Sequence, residues 1–242
     1  MDRAAYDRMA QIDRDHWWFV ARRRIIATLI ERYRPKPGPL KILEVGAGTG
    51  SNLELLTRFG TVDAIEPDDD ARAFAEARSG LMLKGGYLPD VAIDDGAYDL
   101  IVLLDVLEHI PRDVEALAYL RAKLAPGGKI LVTVPGAPWM WGAHDVAHHH
   151  QRRYTSAQLK QVFREAGLSP RFYTHFNSLL FPLIAAVRLG GRLFGREKGD
   201  DAMPSAPVNA ALKAVFGAER HWVARLNIPF GVSMAMVAEP RP

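Results

Sequence analysis

Short apolar runs alternate with amphipathic stretches through the middle of this chain. The runs predict β-strands near residues 41–45, 61–66, 81–84, 98–104 and 129–134. The stretches between them predict helices near residues 50–59, 69–78, 113–123 and 156–166. Continuous apolar runs such as residues 100–104 are typical of strands that are buried on both faces. This alternation predicts an α/β fold, a doubly wound parallel sheet with helices on both faces.

Residues 1–36 precede the first strand and are predicted to be helical. Apolar side chains such as Ile25 and Ile26 share one face of this segment, and arginines such as Arg23 share the other. We expect this segment to form a cap over the active site, ahead of a main domain at residues 37–242. Within that domain, residues 136–155 and 177–230 interrupt the alternation. They are predicted to be substrate-side insertions, since loops at the carboxyl edge of a sheet carry function.

Composition limits the classes of protein and their surroundings. The 242 residues suit one large α/β domain, with 24% charged and 48% hydrophobic residues. A net charge of +3 does not indicate nucleic-acid binding. The absence of cysteine excludes disulfides and thiolate metal sites. The first residues lack the basic-then-apolar layout of a signal peptide, so we expect a cytoplasmic location.

The candidate chemistry begins where the first strand meets a glycine-rich turn. Residues 42–50 read ILEVGAGTG, and Glu66 ends the next apolar run twenty residues after Gly46. Glycines let the backbone approach a ligand closely, and a carboxylate after the second strand accepts hydrogen bonds from ribose. Ser51 replaces the third glycine of a dinucleotide fingerprint, and Glu44 would repel a pyrophosphate. S-adenosylmethionine, which is cationic at sulfur and has no phosphate, fits better.

At this point the chain resembles the class I S-adenosylmethionine-dependent methyltransferases. The resemblance rests on residues 44–50, 64–67, 98–109 and 124–132, in that order and spacing. It implies a Rossmann-like, mostly parallel sheet of seven strands whose last strand, near residues 232–238, is antiparallel. It also implies S-adenosylmethionine as cofactor and S-adenosylhomocysteine as product.

The resemblance assigns the cofactor contacts residue by residue. Glu44 would anchor the ammonium indirectly, and Glu66 would bind the ribose diol; the alternative for Glu66 is an exposed neighbour of a helix N-cap. In related enzymes an acidic residue often touches the adenine, but Gly86 stands at that position here, and backbone groups would substitute. The complete predicted set is Glu44, Gly46, Ala47, Gly48, Gly50, Glu66, Pro67, Gly86, Tyr87, Leu88, Leu104, Asp105 and Val106.

A second informative stretch, residues 144–154, reads HDVAHHHQRRY. A metal site is one interpretation, but consecutive histidines alternate in direction on an extended chain, so we predict no metal. We favour acid–base catalysis, with His144 or His150 as the base and Asp145 as its orienting partner. In a third, structural interpretation, Asp145 pairs with an arginine, Tyr154 packs on the following helix and Thr155 caps that helix.

A bacterial methyltransferase subgroup shares further motifs with this chain. These are HWWF at residues 16–19, the histidine-rich stretch above, and PFGVS at residues 229–233. We expect aromatic and basic side chains from these regions to contact the acceptor, with Arg152 or Arg153 holding a carboxylate or phosphate. For His109 a structural role is the alternative. The predicted substrate-binding set is Trp18, Arg22, His109, Trp141, Arg152, Arg153 and Tyr154.

These observations predict an enzyme that moves a methyl group to oxygen or nitrogen of a small-molecule or lipid-like acceptor. The alternatives are an NAD(P)-dependent oxidoreductase on a similar sheet and a non-catalytic cofactor-binding module. No nucleic-acid partner is expected. The apolar stretch at residues 179–189, with basic residues after it, predicts a peripheral membrane contact through residues 179–198, a lid over the pocket, or core.

Overall fold

A mixed six-stranded sheet forms the centre of the protein. The computed structural model describes residues 9–193 and 202–241, so predictions for residues 1–8 and 194–201 lie outside the described residues. The strand order is β2-β1-β3-β4-β6-β5, and only β6 runs antiparallel to its neighbours. The expected antiparallel last strand is thereby confirmed. The strands are β1 (Leu40–Val45), β2 (Gly60–Ile65), β3 (Tyr98–Leu104), β4 (Leu124–Pro135), β5 (Leu168–Phe176) and β6 (Ser233–Pro240).

The prediction of seven strands was wrong, because residues 81–84 do not form a full strand. Lys84 makes one isolated bridge to Ile65, at the outer edge of β2. The amide of the preceding Leu83 donates to the carboxylate of Glu76, 2.8 Å away. Gly86 follows with φ of +125°, which turns the chain away from the sheet. One bridge therefore replaces the seventh strand.

Helices cover both faces of the sheet, as the alternation predicted. On one face lie α1, α2 and α8, whose apolar side chains pack with Leu100 and Val102 of β3; on the other lie α4 and α6, which pack with Ile101 and Leu103. Alternate residues of one strand therefore serve two separate cores. The helices are α1 (Trp17–Tyr33), α2 (Leu53–Thr57), α3 (Asp69–Ser79), α4 (Asp113–Lys123), α5 (Ala143–Ala147), α6 (Ser156–Glu165), α7 (Phe181–Leu193) and α8 (Ala206–Ala218).

Helix α2 is shorter than the predicted span of residues 50–59. Gly50 has φ of +76°, outside the right-handed helical region, so the helix cannot begin there. A β-carbon at this glycine would lie 3.1 Å from the side chain of Ala75 in α3. The turn therefore packs tightly before the helix starts at Leu53.

The segment before the sheet is held in place by α8. The backbone amide of Trp17, at the start of α1, donates to the side-chain oxygen of Asn209, 2.7 Å away. The Trp17 ring meets Phe216 edge-on, and Phe216 in turn stacks on Phe176 of β5. Because these contacts fix α1 against the sheet, side chains on the following turns reach the carboxyl ends of the strands.

Phe216→Ala tests this anchoring. Phe216 is fully buried, so we expect the substitution to lower the free energy of unfolding by about 3–5 kcal/mol. Val208→Ala is the matched control, because Val208 lies on the same helix and is about half exposed; it should change the free energy of unfolding by less than about 0.5 kcal/mol. Urea denaturation measures both. Equal, small changes would show that α8 does not anchor α1 through this ring.

Candidate active site

The glycine turn after β1 forms one wall of a large cavity. The cavity has a volume of about 830 Å³, and Gly46, Ala47 and Gly48 line it. Gly46 has φ of +71°, and a β-carbon there would lie 2.7 Å from the side chain of Val106. A larger residue would therefore both strain the turn and displace Val106, which also lines the cavity. Gly50 does not line it and packs on α3 instead.

Glu66 links the glycine turn to the turn after β2. It is buried, and its two carboxylate oxygens accept backbone N–H bonds from Gly48 at 2.6 Å and Asp68 at 2.9 Å. Burial raises the pKa of Glu66. Each carboxylate oxygen has more than one acceptor direction, so further donors can bind. Glu66 and Pro67 both line the cavity. Because Glu66 is buried, the structure does not support the alternative, in which Glu66 is an exposed neighbour of a helix N-cap.

Glu44 lies behind the cavity wall. It is fully buried and does not line the cavity; its Oε1 accepts a bond from Asn52 Nδ2 at 2.9 Å. The other oxygen, Oε2, has no hydrogen-bond partner among the described residues. Burial raises the pKa of Glu44 to about 7. Asn52, which the sequence analysis did not single out, lines the cavity in front of it.

Asp105 follows β3 in an uncommon backbone conformation, with φ of +61°. Its carboxylate lies 2.5 Å from the guanidinium of Arg22, a buried side chain of α1. Arg22 also donates to Asn52 Oδ1 at 3.2 Å and to Thr133 Oγ1 at 3.3 Å. The ring of Trp18 lies over the guanidinium at 5.1 Å. Arg22, predicted to bind substrate, thus also ties α1 to the glycine turn and to two strand ends.

The remaining predicted cofactor contacts are on the cavity wall. Gly86, Tyr87 and Leu88 line it on the side of β2, and Leu104 lines it beside Asp105. The Tyr87 side chain is largely exposed. The structure therefore brings together most of the predicted cofactor set, all except Glu44 and Gly50, around one space.

A buried carboxylate organises the histidine-rich loop. Asp145 of α5 accepts a bond from Arg153 Nε at 2.7 Å, and its Oδ1 lies 2.8 Å from His150 Nδ1. Burial opposes ionisation of Asp145, but His150 and Arg153 hold its pKa well below the ordinary value. The bond to Asp145 leaves the lone pair of the neutral imidazole on Nε2. His144 and His150 both line the cavity, whereas Asp145 does not.

Next to His150 lies Glu108, in the 3₁₀ turn Leu107–His109 that follows β3. Glu108 is fully buried, lines the cavity, and neither of its side-chain oxygens has a hydrogen-bond partner among the described residues. Burial and the nearby Asp105 raise its pKa well above the ordinary value. His150 Nε2 lies 4.0 Å from Glu108 Oε1, and the His109 ring centroid is 4.7 Å from that of His150. Glu108 belongs to the motif at residues 98–109 but was not among the predicted site residues.

Three predicted substrate residues do not line the cavity. Arg152 pairs with Asp113 of α4 at 2.7 Å, and the Tyr154 hydroxyl donates to the same carboxylate at 2.7 Å. Trp141 is also absent from the lining, whereas Trp18, Arg22, His109 and Arg153 belong to it. Arg153 is already bonded to Asp145. The structural interpretation therefore describes much of this stretch: Asp145 pairs with Arg153, Tyr154 packs in one core with residues of α6, and Thr155 caps α6.

The far side of the cavity is apolar and comes from elements that the motifs did not mark. Leu183, Ile184 and Val187 of α7 line the cavity together with Trp18 and Phe19 of α1. Their only sequence signal was an apolar stretch at residues 179–189, which is equally compatible with core. Among the described residues, no helix is both long and apolar enough to cross a bilayer.

Comparison with known proteins identifies the family. A family model described as a methyltransferase domain matches residues 18–171 of this chain. The chain belongs to this family. S-adenosylmethionine is the cofactor of this methyltransferase, as the sequence analysis expected.

Curated relatives match parts of the methyltransferase. A trans-aconitate 2-methyltransferase from Variovorax paradoxus is 32% identical over 105 residues, which are 42% of this chain and 40% of that protein. A ubiquinone biosynthesis O-methyltransferase from Cereibacter sphaeroides is 27% identical over 172 residues, which are 60% of this chain and 68% of the relative. The matched region is thus less than half the length of the first of these relatives.

Solved structures support the fold over a longer span. A chain of the complex between the Haloferax volcanii Trm112 methyltransferase activator and a methyltransferase superposes with a TM-score of 0.64. The match covers 99% of this chain and 97% of that chain at 19% sequence identity. At that identity the likeness shows the fold of the methyltransferase and not its acceptor.

Glu44→Gln tests the buried carboxyl behind the cofactor loop. With a pKa near 7 in the folded state and an ordinary pKa near 4.5 when unfolded, the folded protein binds more protons between these values. Stability therefore falls as pH rises through that window. Relative to the Gln variant, the wild type should lose roughly 2 kcal/mol of unfolding free energy between pH 5 and pH 7.5.

Urea denaturation at the two pH values, in the absence of cofactor, measures this difference. Glu54→Gln is the control, since Glu54 is exposed on α2, and it should show the same pH dependence as the wild type. If Glu44→Gln shows the same pH dependence of unfolding free energy as the wild type, Glu44 does not have the raised pKa that burial gives it.

Proposed function

We propose that the protein transfers the methyl group of S-adenosylmethionine to an oxygen or nitrogen of a small-molecule or lipid-like acceptor. One observation carries this proposal: a single cavity joins the glycine turn and Glu66 to an apolar compartment, and Asp105, Glu108 and His150 line the same cavity. A cofactor at one end and an apolar acceptor at the other would meet at these polar side chains. The names of the two relatives refer to trans-aconitate and to ubiquinone biosynthesis, which favours an acceptor outside nucleic acid.

The cofactor end fits a ligand that combines a sugar with positive charge. We assign the ribose to Glu66, whose oxygens keep free acceptor directions, and the methionine portion to Gly46–Gly48. Glu44 acts on the ammonium from behind Asn52, and its unpartnered Oε2 is the kind of buried acceptor that a cationic ligand compensates. The adenine lies against Gly86–Leu88, and Leu104 and Val106 flank the sulfur.

The acceptor end is apolar with one reactive edge. Leu183, Ile184 and Val187 of α7 and Trp18 of α1 provide the apolar walls. Leu183 and Val187 are also 56% and 62% exposed, so α7 separates the cavity from solvent, as a lid would. This position favours the pocket-lid interpretation of residues 179–189 over the core interpretation. The rest of the predicted membrane contact, residues 194–198, lies outside the described residues.

His150 is the residue that we assign to acceptor activation. Asp145, which Arg153 holds in place, orients the His150 ring, and the Nε2 lone pair of that ring faces Glu108 and the cavity. Burial lowers the pKa of His150 below its ordinary value, so the imidazole is neutral near pH 7. A neutral, oriented imidazole offers a lone pair to the acceptor's hydroxyl or amine. His144 lines the same cavity, and its ring centroid lies 6.0 Å from that of His150.

The chemical step is an in-line displacement. The acceptor's oxygen or nitrogen forms a bond to the methyl carbon as the carbon–sulfur bond breaks, and sulfur keeps the electron pair. The proton of the acceptor leaves at the His150 edge. A sulfonium is already a good leaving group, so this chain mainly aligns the two molecules and excludes water. The methyltransferase family assignment decides against the oxidoreductase alternative.

Glu66→Gln tests the cofactor end by calorimetric titration with S-adenosylhomocysteine. Loss of a charge-assisted hydrogen bond should weaken binding by at least about tenfold, whereas Glu54→Gln, on the exposed face of α2, should bind like the wild type. NADH serves as the competing ligand and should not bind. A wild-type protein that binds NADH in place of S-adenosylhomocysteine would overturn the proposed function.

His150→Ala tests acceptor activation. Transfer of labelled methyl from S-adenosylmethionine into the small-molecule and lipid fraction of a cell extract should fall by about 10²–10⁴-fold, with unchanged affinity for S-adenosylhomocysteine. His149→Asn is the control, because His149 lies outside the cavity lining and asparagine tolerates its φ of +55°. Wild-type turnover by His150→Ala would remove His150 from the mechanism. Absence of turnover by the wild type itself would favour the non-catalytic alternative.

A further inference from the structure

We propose that Glu108, His109 and His150 form a binding site for a divalent transition-metal ion, with Zn²⁺ as the simplest occupant. One potential ligand atom from each side chain lies within 4.8 Å of the other two. The inference rests on the proposed function, because the site borders the cavity assigned to the acceptor. It reverses the prediction that the chain holds no metal.

The carboxylate of Glu108 is the observation that points to a cation. It is fully buried at the cavity wall, and within the described part of the chain neither oxygen accepts a hydrogen bond. A buried carboxylate is costly unless it is paired or coordinates a metal. The two nearby guanidinium groups are already committed, Arg22 to Asp105 and Arg153 to Asp145. Glu108 is therefore a buried acid for which the described residues supply no hydrogen-bond donor.

The His150 imidazole is oriented as a metal ligand usually is. His150 contacts Asp145 through Nδ1, which leaves Nε2 directed at Glu108. Metal-binding histidines typically use one ring nitrogen for a carboxylate or carbonyl and the other for the ion. His150 already has such an outer partner in Asp145, and the His109 ring lies edge-on to the His150 ring with 4.7 Å between the centroids.

The backbone explains why these three residues meet. Glu108 and His109 lie in the turn after β3, and the amide of Gln151 donates to the Glu108 carbonyl at 2.9 Å. This bond brings the loop that carries His150 to the end of β3. The objection to three consecutive histidines does not apply, because only one of them contributes and the other two ligands come from a separate element.

Two imidazoles and one carboxylate match a catalytic zinc site, which keeps a fourth position for water or substrate. In a tetrahedral site, two ligand atoms about 2.1 Å from one zinc ion lie roughly 3.4 Å apart. His150 Nε2 and Glu108 Oε1, 4.0 Å apart, must therefore approach by a fraction of an ångström when the ion binds. The separations in the cluster, all within 4.8 Å, require side-chain movements of at most about 1.4 Å. All three side chains line the cavity, so a fourth ligand would reach the ion from there.

A cation here would activate a hydroxyl acceptor in place of His150, the residue that the proposed function assigns as the base. The hydroxyl oxygen binds the ion, and its proton passes to solvent as the alkoxide forms. The alkoxide then attacks the methyl carbon, the carbon–sulfur bond breaks, and the products are the methyl ether and the neutral thioether. His150 is in this case a ligand that holds the ion, not the group that receives the proton.

The test is a calorimetric titration with Zn²⁺ alone. The full chain, freed of any histidine tag and stripped with EDTA, should bind one zinc ion per chain. Glu108→Gln, which keeps the shape of the side chain, and His109→Ala should each weaken zinc binding by at least about tenfold. His149→Asn should bind zinc as the wild type does. Each variant's affinity for S-adenosylhomocysteine serves as the test of folding and should stay unchanged.

The outcomes separate this inference from the proposed function. Zinc binding that Glu108→Gln leaves unaffected would place the ion on other histidines of the loop and overturn the inference. So would methyl transfer that proceeds at the full rate in the stripped protein. Either result, with S-adenosylhomocysteine still bound, leaves the proposed function intact. If neither the stripped wild type nor the zinc-loaded protein binds S-adenosylhomocysteine, the proposed function itself is overturned.

Discussion

The buried guanidinium of Arg22 is the contact on which the geometry of the site depends. It comes from α1, outside the sheet, and contacts Asp105 after β3, Thr133 in β4 and Asn52 beside the glycine turn. Burying a charge costs several kcal/mol unless it is paired and hydrogen-bonded. Because its partners lie on separate strands and turns, Arg22 is satisfied only when α1, the turn and the strand ends take their native positions together.

This dependence explains why the first helix belongs to the site. Packing of Trp17 on Phe216 fixes the start of α1, and Arg22 lies a little over one turn later. Trp18 covers the guanidinium and also lines the cavity, so the same helix supplies an apolar wall and a cation. Asp105, with φ of +61°, directly precedes Val106, and the side chain of Val106 packs against the glycine turn.

The features that the sequence predicted well are local. The alternation of apolar runs with amphipathic stretches predicted the sheet. The spacing from Gly46 to Glu66 predicted two neighbouring turns, and a hydrogen bond from Gly48 to Glu66 joins them. The missed features depend on distant partners. Arg152 and Tyr154 bond to Asp113, about forty positions away in α4, and no local pattern indicates that pairing. The strand expected at residues 81–84 is reduced to one bridge, between Lys84 and Ile65, at the edge of the sheet.

The electrostatics of the cavity wall favour ligands that bring positive charge. Arg22 and Arg153 are each committed to an aspartate, while Glu44 and Glu108 are buried with unpartnered oxygens in the described structure. Burial raises the pKa of Glu44 to about 7, so this acid is partly protonated near neutral pH. A ligand with an ammonium and a sulfonium favours the ionised form of such acids, so ligand and carboxylate stabilise one another. A pyrophosphate would do the opposite, which is why Glu44 separates the two classes of nucleotide cofactor more sharply than the glycine pattern does.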